Sequence, residues 1–207
     1  MNVVAIVTVA HHASDAEFAL TPVHGEALLT HTVRGLLDTP EIDLVVVAAP
    51  QRCANAFSEA LDGLASLVIP GTLRQAFAAV EPRLPPNSIV LVHDALRSFS
   101  HADTVRDVLS AIRAGASVVV PVLPMADTVK VTEDRVIVGT EDRTRLRTAQ
   151  TPIGYTLEAF RAADEPDLPP PGATTVPGHP DAMRVTSAFE LTLAEAIAAA
   201  NGAEETL

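Results

Sequence analysis

The sequence predicts an α/β fold built on one open, mostly parallel sheet, and three observations carry that expectation. Short runs rich in Val and Ile, without polar alternation, recur through the first 121 residues. Such runs read as strands buried on both faces, as in a parallel sheet. Segments of helical period separate them, and this β-α-β-α order favours right-handed crossovers with ligands at the carboxyl ends of the strands. Beyond Pro124 two β-rich stretches flank a short acidic turn, which reads as a hairpin projecting from the sheet.

The strands are expected at Val3 to Val9, Leu44 to Ala48, Leu67 to Ile69, Ile89 to Val92 and Val118 to Pro121. After the first, Leu29, Val33, Leu36 and Leu37 recur at i, i+4, i+7 and i+8, so one helical stripe faces the sheet. Val105, Val108, Leu109 and Ile112 repeat the pattern, with Ser100 and Asp103 as a candidate capping box and Gly115 just past the helix end. The hairpin joins Asp127–Thr132 to Arg135–Gly139 through Glu133 and Asp134. Pro166, Pro169, Pro170, Pro171, Pro177 and Pro180 mark 163–181 as a proline-rich loop, because each ring excludes regular helix. The last helix is expected to start at Ser187 with Glu190 three residues on, to turn Phe189, Leu193, Ala196 and Ile197 inward, and to stop near Gly202. The chain thus reads as a single Rossmann-like domain over 1–207, with the hairpin inserted at 125–150.

Charge narrows the function. Fourteen Lys and Arg face 26 Asp and Glu for a net charge of −12, and Lys130 is the sole lysine. A chain so acidic is a poor partner for nucleic acid or an anionic membrane, both of which require clustered cations. The single cysteine, Cys53, excludes an internal disulfide framework and reads as buried packing. No basic segment precedes the first apolar run, so neither a signal peptide nor a membrane span is expected, and the protein reads as cytoplasmic. His11 and His12 with His24 or His31 read as exposed loop histidines rather than a metal site. Dinucleotide and P-loop glycine patterns do not occur.

Three groups of residues could carry chemistry. Asp94 and Arg97 follow the strand Ile89 to Val92 directly, where an α/β sheet binds ligand, although a local ion pair would look the same. Arg143, Arg145 and Arg147 alternate, which in a strand places all three on one face suited to phosphate, or on a charged edge that resists aggregation. Arg184 enters the last helix and by itself is only a surface arginine.

Four segments in order resemble the 2-C-methyl-D-erythritol 4-phosphate cytidylyltransferase family. Val92-His93-Asp94-Ala95-Leu96-Arg97 is similar to its V-H-D-A-A-R-P, and Val120 through Lys130 to its P-x-x-D-T-[IV]-K entry to a dimerisation arm. Thr140 through Pro152 is similar to T-x-x-R-x-x-L-x-x-x-Q-T-P-Q, with Ile153 replacing the last glutamine, and Gly178 to Thr186 resembles the segment before the last helix. The resemblance implies a nucleotidyltransferase-type sheet, a homodimer formed through the arm, CTP and 2-C-methyl-D-erythritol 4-phosphate as ligands, and pyrophosphate as product. It implies that Asp94 lies beside the metal, a magnesium ion accompanying the nucleotide, and beside the phosphates. Arg97 would support that loop on the acceptor side, and Arg143 would reach the sugar phosphate in the neighbouring subunit, near Thr151. Arg184 stands where the family has a lysine contacting the reacting phosphate. Ala10, Gly71, Thr72 and Arg74 fall on its nucleotide-binding segments.

Departures from the family pattern lie on the triphosphate side. The family's first strand leads into a glycine-rich loop with an arginine and a lysine, whereas residues 8–18 here contain no Gly, Arg or Lys. Asp15, Glu17 and Glu26 all precede Arg34, the first cation of the chain, and Phe77 stands where the family has a hydroxyl. Losing one charge-stabilising donor costs about 10²–10³ in rate. The sequence therefore predicts a divergent member with weak or absent turnover, the alternative being a non-catalytic paralogue that acts as a dimeric phosphate-binding or regulatory partner.

Overall fold

The computed structural model describes residues 2–9 and 14–204, with side chains as far as 201. The first half alternates strand and helix. In chain order it runs β1 (Val3–Thr8), α1 (Asp15–Ala19), β2 (Pro22–Val23), β3 (Glu26–Ala27), α2 (Leu28–Leu37), β4 (Leu44–Ala49), α3 (Ala54–Ala60), β5 (Ser66–Pro70), α4 (Leu73–Val80) and β6 (Ile89–Asp94). There follow α5 (Ala102–Arg113), β7 (Val118–Pro124), β8 (Lys130–Glu133), β9 (Val136–Thr140), β10 (Arg147–Ala149), β11 (Ile153–Thr156), α6 (Leu157–Ala162), β12 (Thr174–Pro177) and α7 (Ala188–Glu204).

Among the described residues the main sheet has eight strands in the order β10-β7-β11-β6-β1-β4-β5, with β12 also on β7. Pairings of β1 with β4 and β6, of β4 with β5 and of β7 with β12 are parallel, while β10 and β11 run antiparallel to their neighbours. The uniformly apolar strands are explained residue by residue. Val3, Ala5 and Val7 of β1 enter one buried layer, with α2, α3 and α5, whereas Val4 and Ile6 enter the opposite layer, with α4 and α6. Both faces of β1, β4 and β6 are covered, so alternation would have buried unpaired polar groups.

The helical stripes sit as expected. Leu29, Val33 and Leu36 of α2 are buried, as are Val105, Val108, Leu109 and Ile112 of α5, and Cys53 packs in the core. Gly115 follows α5 with φ +111°, a conformation that suits glycine.

Other expectations are corrected. The residues around Leu67 form an edge strand whose Leu67 is exposed, because β5 has a neighbour on one side only. Ser100 is not a capping residue: His101 stands at the cap of α5, while the Ser100 hydroxyl donates toward the carbonyls of Arg97 and Thr151. Asp103 instead pairs with Arg106. On α7, Phe189 and Leu193 are exposed, and Leu191, Ala194, Ile197 and Ala198 face the core. The hairpin turns at Asp134 and Arg135, both at positive φ, which matches the strand twist. Within the proline-rich stretch, Thr174–Pro177 is strand, and Arg147–Ala149 belongs to the main sheet rather than to the arm. Among the described residues, no helix is long and apolar enough to cross a membrane.

Candidate active site

Asp94 ends β6, a strand held from both sides by β1 and β11, with Thr8 opposite it in register. The turn after it is built from its own side chain. Asp94 Oδ1 accepts from Leu96 N at 3.0 Å, and Asp94 N donates to Thr151 Oγ1 at 3.2 Å. Ala95 N donates to Thr8 O at 2.9 Å, so the chain turns directly over the end of β1. His93, fully buried, places Nε2 3.1 Å from Arg97 O, while its Nδ1 has no partner among the described residues. Burial pulls the His93 pKa down to about 4, against a backbone hydrogen bond and Asp94 that favour the proton, so the ring is neutral at pH 7.

Arg184 closes the site. Its Nε donates to Asp94 Oδ2 and its Nη2 to Asp15 Oδ2, each at 2.6 Å. Val185 N donates to Leu96 O at 2.8 Å, tying the segment before α7 to the β6 turn. Both carboxylates are nearly buried and the guanidinium is mostly covered. Burial by itself would lower the Arg184 pKa, but Asp94 and then Asp15 outweigh it, and the net direction is upward. One fixed cation thus bridges two acids.

Arg97 acts as a bracket. Its Nη1 donates to Ala182 O at 2.8 Å and its Nη2 to Ala149 O at 3.2 Å, joining the segment that carries Arg184 to β10. Burial draws its pKa below the ordinary value, with Asp94 opposing. Asp94, Arg97, Thr151 and Arg184 line a cavity of about 170 Å³ together with Thr8 and Asp167. A second cavity, about 550 Å³, shares Thr8 and Asp167 and is lined by Gly71, Thr72 and Arg74. Its size suits a nucleoside.

Asp94, Arg97, Thr151 and Arg184 thus line one cavity and Gly71, Thr72 and Arg74 its neighbour, both at the carboxyl ends of β1, β4 and β6. Some roles differ from expectation. Thr72 caps α4 in a reciprocal box with Gln75, which engages its hydroxyl. Arg74 stacks over Phe160 at 5.1 Å and donates to the carbonyls of Phe160 and Ala163, so it secures the end of α6 beside the cavity. Arg143, Arg145 and Arg147 do not share a strand face. Residues Arg143–Arg145 form a 3₁₀ turn capped by Asp142, and only Arg147 enters β10. Arg143 is exposed, donates to Ala126 O at 2.5 Å and lines neither cavity of its own chain. Ala10 lies outside the described residues. No motif in the sequence marks Asp15 or Asp167: Asp15 is buried just after β1 and pairs with Arg184, and Asp167 lines the cavity from the proline-rich stretch.

The family described as 2-C-methyl-D-erythritol 4-phosphate cytidylyltransferase matches residues 3–200. A protein of that name from Saccharopolyspora erythraea is 42% identical, over 96% of this chain and 100% of its own length. The Streptomyces coelicolor protein of the same name is 36% identical over 87% of this chain and 77% of its own. A crystal structure of that enzyme from Thermus thermophilus superposes with a TM-score of 0.73 at 28% identity, covering 96% of this chain and 99% of the other. A 42% identical relative spanning nearly the whole chain does not bear out the expectation of a divergent member.

Proposed function

Because the chain belongs to the 2-C-methyl-D-erythritol 4-phosphate cytidylyltransferase family, we propose that it transfers the cytidylyl group of CTP to 2-C-methyl-D-erythritol 4-phosphate and releases pyrophosphate. The observation that carries this reading is Arg184, clamped between Asp94 and Asp15 and lining the smaller cavity, which shares Thr8 and Asp167 with the larger one. A guanidinium held there by two carboxylates is oriented before substrate arrives, and preorganised charge is what a phosphorane-like transition state requires. Asp94 orients Arg184, Thr151 fixes the Asp94 turn, and Arg97 holds the segment carrying Arg184. The larger cavity accepts the nucleoside through the backbone at Gly71 and Thr72.

The hard carboxylate oxygens of Asp94 and Asp15 fit a magnesium ion arriving with the nucleotide, and such an ion would neutralise part of the triphosphate charge. Residues 8–18 supply no fixed cation, so turnover is expected about 10²–10³ below that of a site with one more charge-stabilising donor.

The arm supports a homodimer. Val136, Ile137 and Val138 are 63%, 63% and 52% exposed, so β9 presents apolar side chains on both of its faces along a projecting hairpin. In such a dimer Arg143 would contact the acceptor phosphate of the other subunit. Pyrophosphate release from CTP, magnesium and the methylerythritol phosphate tests the activity, with loss expected in Arg184→Ala. Binding of the acceptor without any pyrophosphate would instead favour the non-catalytic partner. Sedimentation of the wild type against Ile137→Asp tests the dimer.

A further inference from the structure

We propose that His101, His179 and Asp181 form a binding site for a first-row divalent metal ion of the zinc class, separate from the Asp94 site. The three side chains come from distant parts of the chain. His101 stands at the amino end of α5, and His179 and Asp181 lie between β12 and Arg184. Their candidate ligand atoms all lie within 4.8 Å of one another. His101 Nε2 is 3.3 Å and His179 Nδ1 3.6 Å from Asp181 Oδ2. Tetrahedral ligands at zinc distances of about 2.0–2.2 Å lie roughly 3.4 Å apart, so two of the three separations already match.

The lone pair is in place on one ring. Asp181 N donates to His179 Nδ1 at 3.2 Å, so this ring nitrogen serves as the acceptor. The metal would take this lone pair in exchange for a weak local hydrogen bond. The rings of His101 and His179 stack with centroids 3.6 Å apart and planes 29° from parallel, so the two imidazoles are already adjacent, and a bound ion would require them to tilt apart until their in-plane lone pairs converge.

The loop is preorganised from beneath. The buried Gln150 side chain donates to His179 O at 2.8 Å and accepts from His179 N at 2.9 Å. Gly178 packs so closely on that amide that a Cβ would meet Gln150 Oε1 at 2.2 Å. Gln150 and Arg97 both also hold Ala182 O. His179 is therefore fixed in backbone, with its ring turned outward. All three ligands remain partly exposed, which leaves coordination positions for water and a path for the ion. Two imidazoles with one carboxylate favour zinc, cobalt or nickel over magnesium or calcium. An ion there would fasten the segment leading to Arg184 onto the start of α5.

The test is calorimetric titration of the tag-free full chain with zinc, repeated with cobalt to follow its visible absorption. One saturable site is expected, weakened at least tenfold by His101→Ala and again by His179→Ala, and not displaced by millimolar magnesium. His24→Ala and His31→Ala, which alter the neighbouring cavity that also contains His101, should leave affinity unchanged. Zinc should raise the unfolding temperature of the wild type and not that of Asp181→Asn. Absence of saturable binding, or binding retained by both His101→Ala and His179→Ala, or lost on replacing His24, overturns the proposal.

Discussion

His93 links the stability of the site to pH through a single buried ring. It is 1% exposed, its Nδ1 lacks a partner among the described residues, and its pKa is drawn down to about 4 by burial. In the unfolded chain the same imidazole titrates near 6.5. Above that value it is neutral in both states and contributes no slope. As pH falls below 6.5 the unfolded chain gains a proton that the folded chain cannot accept, so stability declines by about 1.4 kcal/mol per pH unit. The decline ends near pH 4, where the folded ring protonates too, and the whole window is worth about 3 kcal/mol. Glutamine at this position keeps an amide N–H for the Arg97 carbonyl and cannot titrate. Urea unfolding of wild type and His93→Gln between pH 7.5 and 4 should therefore give curves that converge or cross as pH falls. Glu26 and Glu190, whose carboxyls are held below their ordinary range, only begin to lose their contributions at the acid end of the scan. Those losses are common to both proteins and cancel in the difference. Parallel stability profiles for the two proteins would refute the account of His93 as a neutral, desolvated support for the Asp94 turn.

Arg184→Ala leaves Asp15 and Asp94 nearly buried without their shared cation, and should cost about 3–5 kcal/mol in denaturant unfolding. Adding Asp15→Asn to that variant should restore part of the loss without restoring turnover. Gly154→Ala would set a Cβ 2.4 Å from Val108 Cγ1 in the interface between β11 and α5, and should lower stability by about 1–3 kcal/mol with kcat per folded molecule unchanged. Gly71→Ala meets both φ +134° and Gln75 Oε1 at 2.3 Å, opening the Thr72 cap; a loss of about 1–2 kcal/mol and a raised KM for CTP are expected, with KM for the acceptor unaffected.

Much of this could be read in the chain because the central strands are covered on both sides. Where both faces are buried every position must be apolar, and the runs at β1, β4, β6 and β7 announce themselves. Legibility failed where one side is open. Leu67 belongs to an apolar run yet lies on an edge, and Phe189 fits the helical period of α7 yet points to solvent. The arginines at 143, 145 and 147 failed for a different reason: period-two spacing implies a shared face only in a strand, and Asp142 caps a 3₁₀ turn there.

By itself the sequence determined the layered α/β architecture, the hairpin, and Asp94, Arg97 and Arg184 as candidate residues, because these depend on local periodicity and on short segments of similar order. Tertiary structure alone decided the partners. Asp15 and Arg184 are separated by 169 positions and His101 and Asp181 by 80, yet each pair meets across one hydrogen bond. No periodicity encodes such meetings, which follow from β1 and β6 ending side by side and from β12 returning beside β7. A net charge of −12 disfavours polyanionic partners such as nucleic acid. The arrangement of Asp15, Asp94 and Arg184 marks where, within so acidic a chain, an oriented cation lines the smaller cavity.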